Sequence, residues 1–273
     1  MALGVLNNIS AIYAQNDLNQ TQNALNTTLQ QLSSGSRINS GADDAAGLSL
    51  ANGLQASSTA LTQSATNASE GVDMLQVADG ALSQITTMLN RAVTLATEAS
   101  NGTLNAAQIT AANAEYSNIL TEIGNINTNT EYNGIKVFGA TAASVYTSDG
   151  TTSQTNDATI GSTVAAVADL GLTAGGFTSA STAQSELTKI NTAIGTVATD
   201  RGTAGADINT LQSVSNVMST ESTNTLSAEN DVTATDYGTA TSNMSKEQIL
   251  MQTGIAALAQ AQQSQGLITK LLQ

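Results

Sequence analysis

Apolar residues recur along this chain at the spacing of helices that pack on other helices. From Leu54 onward every seventh position is apolar: Leu61, Ala68, Leu75, Leu82, Leu89 and Ala96. A heptad repeat keeps one seam turned toward a partner helix. It predicts a long helix over about 44–99, with a weaker adjoining stripe that includes Ala65, Val72 and Val93. Asn101-Gly102 ends it. A shorter helix is expected over about 104–129, with Ile109, Tyr116, Ile119, Ile123 and Ile126 on its buried side, closed by Asn133-Gly134. From about 181 the pattern returns: Leu187, Ile190, Ile194, Val197, Arg201, Ala204, Ile208, Leu211, Ser215 and Met218 alternate by three and four. This seam needs a partner, and the run at 54–96 is the obvious one. Arg201 falls on the seam itself, where it requires a carboxylate or carbonyl and sets register rather than adding stability.

Both ends also read as helices. Leu18, Leu25, Leu29 and Leu32 share one side of the first, with Ile9, Ile12 and Tyr13 earlier. The last carries Met251, Ile255, Leu258, Ile268, Leu271 and Leu272. Residues 1–36 hold one charge, Asp17, and residues 248–273 hold one, Lys270. A solvated helix face normally carries charges, whereas these carry Gln, Asn, Ser, Thr and Ala. Either other protein surrounds them in use, or they are weakly folded, fraying termini.

Two segments break the helical pattern. SSGSRINSGADDAAG at 33–47 is rich in Gly, Ser and Asn and reads as a loop, with Asp43 and Asp44 at the positive end of the helix that follows. The middle, about 135–178, changes character: IKVF at 135–138 is a strand candidate. ASVYTS-DG-TTSQ reads as a hairpin turning at Asp149-Gly150. The resulting expectation is a mainly α chain. N- and C-terminal segments form a long antiparallel helical bundle or coiled coil, nested end on end, around a small central region containing a β-hairpin.

Composition sharpens this picture. Leu, Ile, Val and Phe total 56 of 273 residues, at the border where a chain fails to bury enough surface to offset its entropy. Part of the chain is therefore expected to gain order only by association. The chain has no Pro, which suits uninterrupted helices. It has no Cys and no His, which excludes thiol nucleophiles, disulfides, Ser-His-Asp chemistry and the usual zinc sites. Asp43-Asp44 is read as a helix-start cap rather than an acid pair, no phosphate-binding glycine loop is present, and no cofactor is expected. With 7 Lys+Arg against 21 Asp+Glu the net charge is −14, which argues against nucleic acid. No run of 18 apolar residues exists to insert in a membrane. MALGVLNNISAIY has no Lys or Arg ahead of its first apolar residues, so no secretory signal peptide is expected.

Four segments carry a resemblance. LSSGSRINSGADDAAGLSLANGL at 32–54, LTQSATNASEGVDMLQVADGALSQITTMLNRA at 61–92, NTNTEYNGIKVF at 127–138 and DYGTATSNMSKEQILMQTGIAALAQAQQ at 236–263 resemble the bacterial flagellin family. Residues 141–180 have no specific resemblance, as expected for the family's variable centre. The resemblance implies a subunit that self-assembles head to tail into the extracellular flagellar filament used for motility. Terminal helices 1–33 and 240–273 would form the filament core, 34–47 a linker, 48–140 and 181–239 the helical bundle, and 141–180 a short outer region. The assembly interface is assigned to Leu25, Leu29, Leu32, Arg37, Ile255, Leu258 and Leu271, and the bundle register to Arg201. The resemblance further implies export through the flagellar apparatus without a cleaved signal peptide, an export chaperone, and capping and junction proteins as partners. The family also carries a patch read by a vertebrate toll-like receptor. Its positions map onto Arg91, Leu95 and Glu115, with Val93 and Thr94 in place of a charged pair; the alternative role for these residues is contact between protofilaments. The competing functions are a hook–filament junction protein, which shares similar termini, and a secreted adhesin or receptor ligand, which would need its function in the short centre.

Overall fold

The computed structural model describes residues 8–138, 143–148, 157–160, 170–172, 174 and 176–271, with side chains in the last helix described to residue 263. With no proline to interrupt them, five helices run α1 (Ile9–Ser34), α2 (Ala45–Ser100), α3 (Ala106–Asn129), α4 (Ala180–Thr233) and α5 (Tyr237–Leu271). Their ends follow local chemistry. The Asn8 side chain accepts from the Ala11 N–H at α1. The Asp44 carboxylate accepts from the Gly47 N–H at α2. Asn105 and Gln108 form a reciprocal capping box at α3. Gly35, at φ 72°, closes α1 in the left-handed conformation.

The chain divides into two compact units, 1–56 with 225–273 and 57–224. In the second, α2 and α4 pack antiparallel: Ser58 meets Ser222, the Ser215 hydroxyl donates to the Ala65 carbonyl, and Arg201 meets Asp79. The predicted heptad line of α2 is enclosed from Leu61 to Ala96. The adjoining stripe differs from the expected one. Ser64, Gly71, Ala78, Ile85, Ala92 and Ala99 are buried, and so is Val72 of the expected stripe, whereas Ala65 and Val93 are only half-buried. Apart from Ile85 these positions hold small residues, which allow close helix approach but carry little hydrophobic signal. On α4 the deepest line is likewise a strict heptad, Ala183, Ile190, Val197, Ala204, Leu211 and Met218. Leu187, Ile194, Arg201, Ile208 and Ser215 form its half-buried rim. Arg201 therefore lies at the edge of the seam rather than in it.

α3 covers one part of the α2·α4 pair with Tyr116 and Ile123, both fully enclosed. The Phe177 ring stacks on Tyr116 at 4.3 Å and 17°. Two small hairpins complete the unit. β1 (Glu131–Tyr132) and β2 (Ile135–Lys136) pair across Asn133 and Gly134, both at positive φ, the arrangement of a type I′ turn. The strand expected over 135–138 thus stops at Lys136, and Val137 and Phe138 turn into the core instead. β3 (Ala143–Tyr146) pairs antiparallel with β4 (Asp157–Ile160), Tyr146 facing Asp157. This corrects the expected hairpin: the partner strand is not TTSQ, and the connection is longer than a two-residue turn. Asp149-Gly150 itself lies outside the described residues. β3 is held to α2, not by its turn alone, through the Ser64 hydroxyl to the Ser148 carbonyl and the Asn67 amide to the Tyr146 carbonyl.

Candidate assembly surface

Among the described residues no three His, Cys, Asp or Glu side chains gather as a metal site, and no helix is long and apolar enough to cross a membrane. The buried carboxylate of Glu186 has a structural explanation. It takes a hydrogen bond from the Tyr116 hydroxyl at 3.3 Å and pairs with Lys189 at 2.7 Å. Burial, reinforced by the Glu186 charge, pushes the Tyr116 phenol up, so it stays a donor. A Cβ at Gly176 would collide with the Glu186 side chain, so the returning chain passes closely over this group only because residue 176 is glycine.

What the first unit offers is a surface. α1 and α5 pair antiparallel, with Leu18 against Gly254, Tyr237 over Gly35 and the Asn8 amide donating to the Ala261 carbonyl. The facing stripe on α1 is Ala11, Ala14, Leu18, Thr21, Leu25, Thr28 and Leu32. On α5 it is Ala240, Met244, Glu247, Met251, Gly254, Leu258 and Ala261. Both alternate by three and four, so each helix presents one coiled-coil seam. A Cβ at Gly254 would lie 3.3 Å from Leu18, so glycine there admits the leucine.

The predicted interface residues separate into two groups. Leu25 is buried, and Leu32 and Leu258 are half-buried, on the facing stripes. Leu29 and Ile255 are exposed, at 44% and 53%, on the outside of the pair. The Leu271 side chain lies outside the described residues. The outside also carries Ile9, Ile12, Tyr13, Ile249 and Leu250. Among the described residues of this unit the buried apolar side chains are Leu25, Ile38, Ala51 and Ala240, a small core for so many exposed ones. These apolar side chains, gathered on charge-poor helices, form an exposed apolar face.

Arg37 sits in the clasp joining the two ends. Its guanidinium donates to the Val232 carbonyl at 2.7 Å and its backbone N–H to that of Thr233 at 2.7 Å. These are the open carbonyls at the C-terminus of α4, where the helix dipole favours a cation. The Thr235 N–H returns a bond to the Gly35 carbonyl, and Ser36 bridges Ala234. On either side two acids order the loops. Asp43 accepts from the Asn39 and Ser40 N–H groups, and Asp236 from the Gly238 and Thr239 N–H groups as the cap of α5. Hydrogen bonds hold both carboxyls below their ordinary range. At Asp43 the backbone bond from Asn39 leads, and at Asp236 the side-chain bond from Thr239 leads.

In the second unit Arg201 finds a two-point partner in Asp79, at 2.7 and 3.3 Å. The heptad pattern demanded a partner there but could not select Asp79 from the other acids of α2. Arg91 and Glu115 are brought together at 2.7 Å, both about half exposed, whereas Leu95 is 3% exposed and points into the core. The patch mapped by resemblance therefore presents Arg91 and Glu115 on the surface, without Leu95. Sequence reasoning missed Asp79, Glu186 and Glu247. Each is a charge on a half-buried helix face, and only knowledge of the facing helix could have singled it out.

Comparison with known proteins matches both halves of the chain to one family. Residues 5–143 match the bacterial flagellin N-terminal helical region, and residues 187–272 match the bacterial flagellin C-terminal helical region. Over 286 aligned residues the chain is 31% identical to a flagellin of Listeria monocytogenes, covering 97% of this chain and 98% of that one. It is 40% identical over 137 residues to a flagellin of Salmonella muenchen, half of this chain and 27% of that protein. Among solved structures, Bacillus cereus flagellin superposes with a TM-score of 0.50 and 28% identity, over 56% of this chain and 88% of that one.

Proposed function

Because the chain belongs to the bacterial flagellin family and is a structural subunit of the flagellar filament, we propose that the α1·α5 pair is the surface through which its copies polymerise. The observation that carries this is the split in burial between the units. Ile9, Ile12, Tyr13, Leu29, Leu50, Leu226, Tyr237, Ile249, Leu250 and Ile255 are exposed in the first, against Val77, Ile135, Tyr146 and Val217 in the second. A contact that repeats without closing on itself yields an open helical polymer. The first unit supplies the filament-core element and the second the helical bundle. Leu25, Leu32 and Leu258 zip the ends together; Leu29 and Ile255 meet neighbouring copies; Arg37 anchors the ends, and Arg201 with Asp79 sets the bundle register.

The role is structural rather than catalytic, and the place of work is outside the cell. Export through the flagellar apparatus without a cleaved signal peptide, with a chaperone and with capping and junction proteins as partners, belongs to the same reading and rests on the family. Ends with so little core of their own are poorly folded in the lone subunit and gain order on joining the tip. Circular dichroism of monomer and of seeded filament tests this: helicity rises on assembly. Equal helicity in the two states refutes it. Leu25→Asp with Leu258→Asp leaves a soluble subunit that forms no filaments in electron micrographs; intact filaments would remove the pair from the interface.

A further inference from the structure

Glu247 is the one charged residue on either facing stripe of the α1·α5 pair among the described residues. The register set by Leu18 with Gly254 and by Gly35 with Tyr237 places it level with Leu25, which is 6% exposed. Its Oε2 is enclosed and accepts no hydrogen bond. The stripe residues nearest it are Thr21, Leu25 and Thr28 on α1 and Met244 and Met251 on α5. Among the described side chains the cations of this unit are elsewhere: Arg37 is engaged with the Val232 carbonyl, and Lys246 is exposed on another face of α5. Glu247 as a whole is half-buried, but taking even one carboxylate oxygen out of water without a partner opposes the packing that encloses it. The rest of both stripes is apolar or hydroxyl-bearing, so Glu247 is a single penalty set at the centre of an otherwise compatible seam.

We propose that Glu247 is an assembly-control residue that holds the α1·α5 pair open in the lone subunit. Pairing then waits until a neighbouring copy covers the exposed apolar side chains and tips the balance. The inference rests on the reading that these helices pair on assembly, and it adds which residue keeps them from pairing early. A subunit that zipped its ends alone would present a finished seam and nucleate polymers away from the growing tip.

The test uses the full chain with Glu247→Gln and Glu247→Met, and with Glu221→Gln, an exposed residue of α4, as the control for net charge. Monomer helicity, its thermal transition and the lag of unseeded polymerisation are measured. Glu247→Met raises helicity and shortens the lag several-fold, Glu247→Gln does so less because its amide is still enclosed, and Glu221→Gln does neither. Unchanged helicity in both Glu247 variants overturns the proposal. So do Glu247→Gln filaments that dissociate at a lower temperature than wild type, since a neighbouring copy would then be supplying the carboxylate's partner. Wild-type helicity that fails to rise on assembly sinks the pairing reading itself. A wild-type rise with no effect of Glu247 sinks only the control role.

Discussion

Replacing Ile12 and Ile255 together by serine separates the cost to the subunit from the cost to the polymer. Each isoleucine is 53% exposed in the structure. Burying such a side chain completely is worth about 1.5–3 kcal/mol relative to full exposure. At least half of that, about 0.8–1.6 kcal/mol per residue, is gained when a neighbour covers it, and more if the ends fold only on assembly. The pair of substitutions therefore removes at least about 1.6–3.2 kcal/mol per subunit added. At about 1.4 kcal/mol per tenfold, the critical concentration for elongation rises at least roughly tenfold. Serine keeps the net charge constant, so self-repulsion does not contribute. The assay is sedimentation of seeded filaments over a dilution series, with thermal unfolding of the monomer alongside. The monomer transition moves little, because the substituted groups are already largely in water and surface changes usually stay within about 0.5 kcal/mol. A critical concentration within about threefold of wild type, a difference of about 0.7 kcal/mol, would show that these side chains stay exposed in the filament and refute the argument.

Other perturbations reach the rest of the molecule. Leu89→Ala, at a position with no exposure, leaves a cavity in the α2 seam and costs about 2–5 kcal/mol in the thermal unfolding of the monomer; a loss within about 0.5 kcal/mol would mean the seam is not packed as described. Asp43 and Asp236 have depressed carboxyl pKa values when folded, so their contribution is present above the unfolded value near 3.8 and is lost as pH falls through the lower folded values. Asp43→Asn with Asp236→Asn flattens the acid limb of filament stability measured by light scattering, and an unchanged limb counts against the two loops as its source. Arg91→Ala breaks an ion pair exposed on both sides, worth at most about 1 kcal/mol, so the monomer transition holds. In a toll-like receptor reporter assay the same variant separates the two roles of that patch: signal lost from an active wild type supports recognition, and signal retained assigns Arg91 to subunit contacts.

Some of this was legible because it is local. The seven-residue recurrence from Leu61 to Ala96 produced a helix ending at Ser100, one residue past the expected limit. Asn133-Gly134 turned where such pairs turn, since both residues adopt positive φ. The loop before α2 followed from its Gly, Ser and Asn content, although α1 extends to Ser34. The β3–β4 pairing was misjudged because a strong turn signal at Asp149-Gly150 outweighed two facts invisible locally. Val145 has a half-buried place against the α2·α4 cluster, and two α2 side chains hold the carbonyls of Tyr146 and Ser148.

The order of amino acids alone decided that this chain is helical, that its ends are nearly free of charge, and that its apolar content is thin. These follow from period, propensity and composition, each a property of residues near one another in the chain. The facing helices decided what those residues do. Antiparallel register brought Arg201 to Asp79, Arg37 to the open end of α4, and Glu247 into the seam beside Leu25, while Leu95 was drawn inside and Ile255 left outside. A heptad stripe specifies that a partner exists, but which residue stands opposite depends on how small side chains let two distant helices settle together, and that is a property of the packed pair.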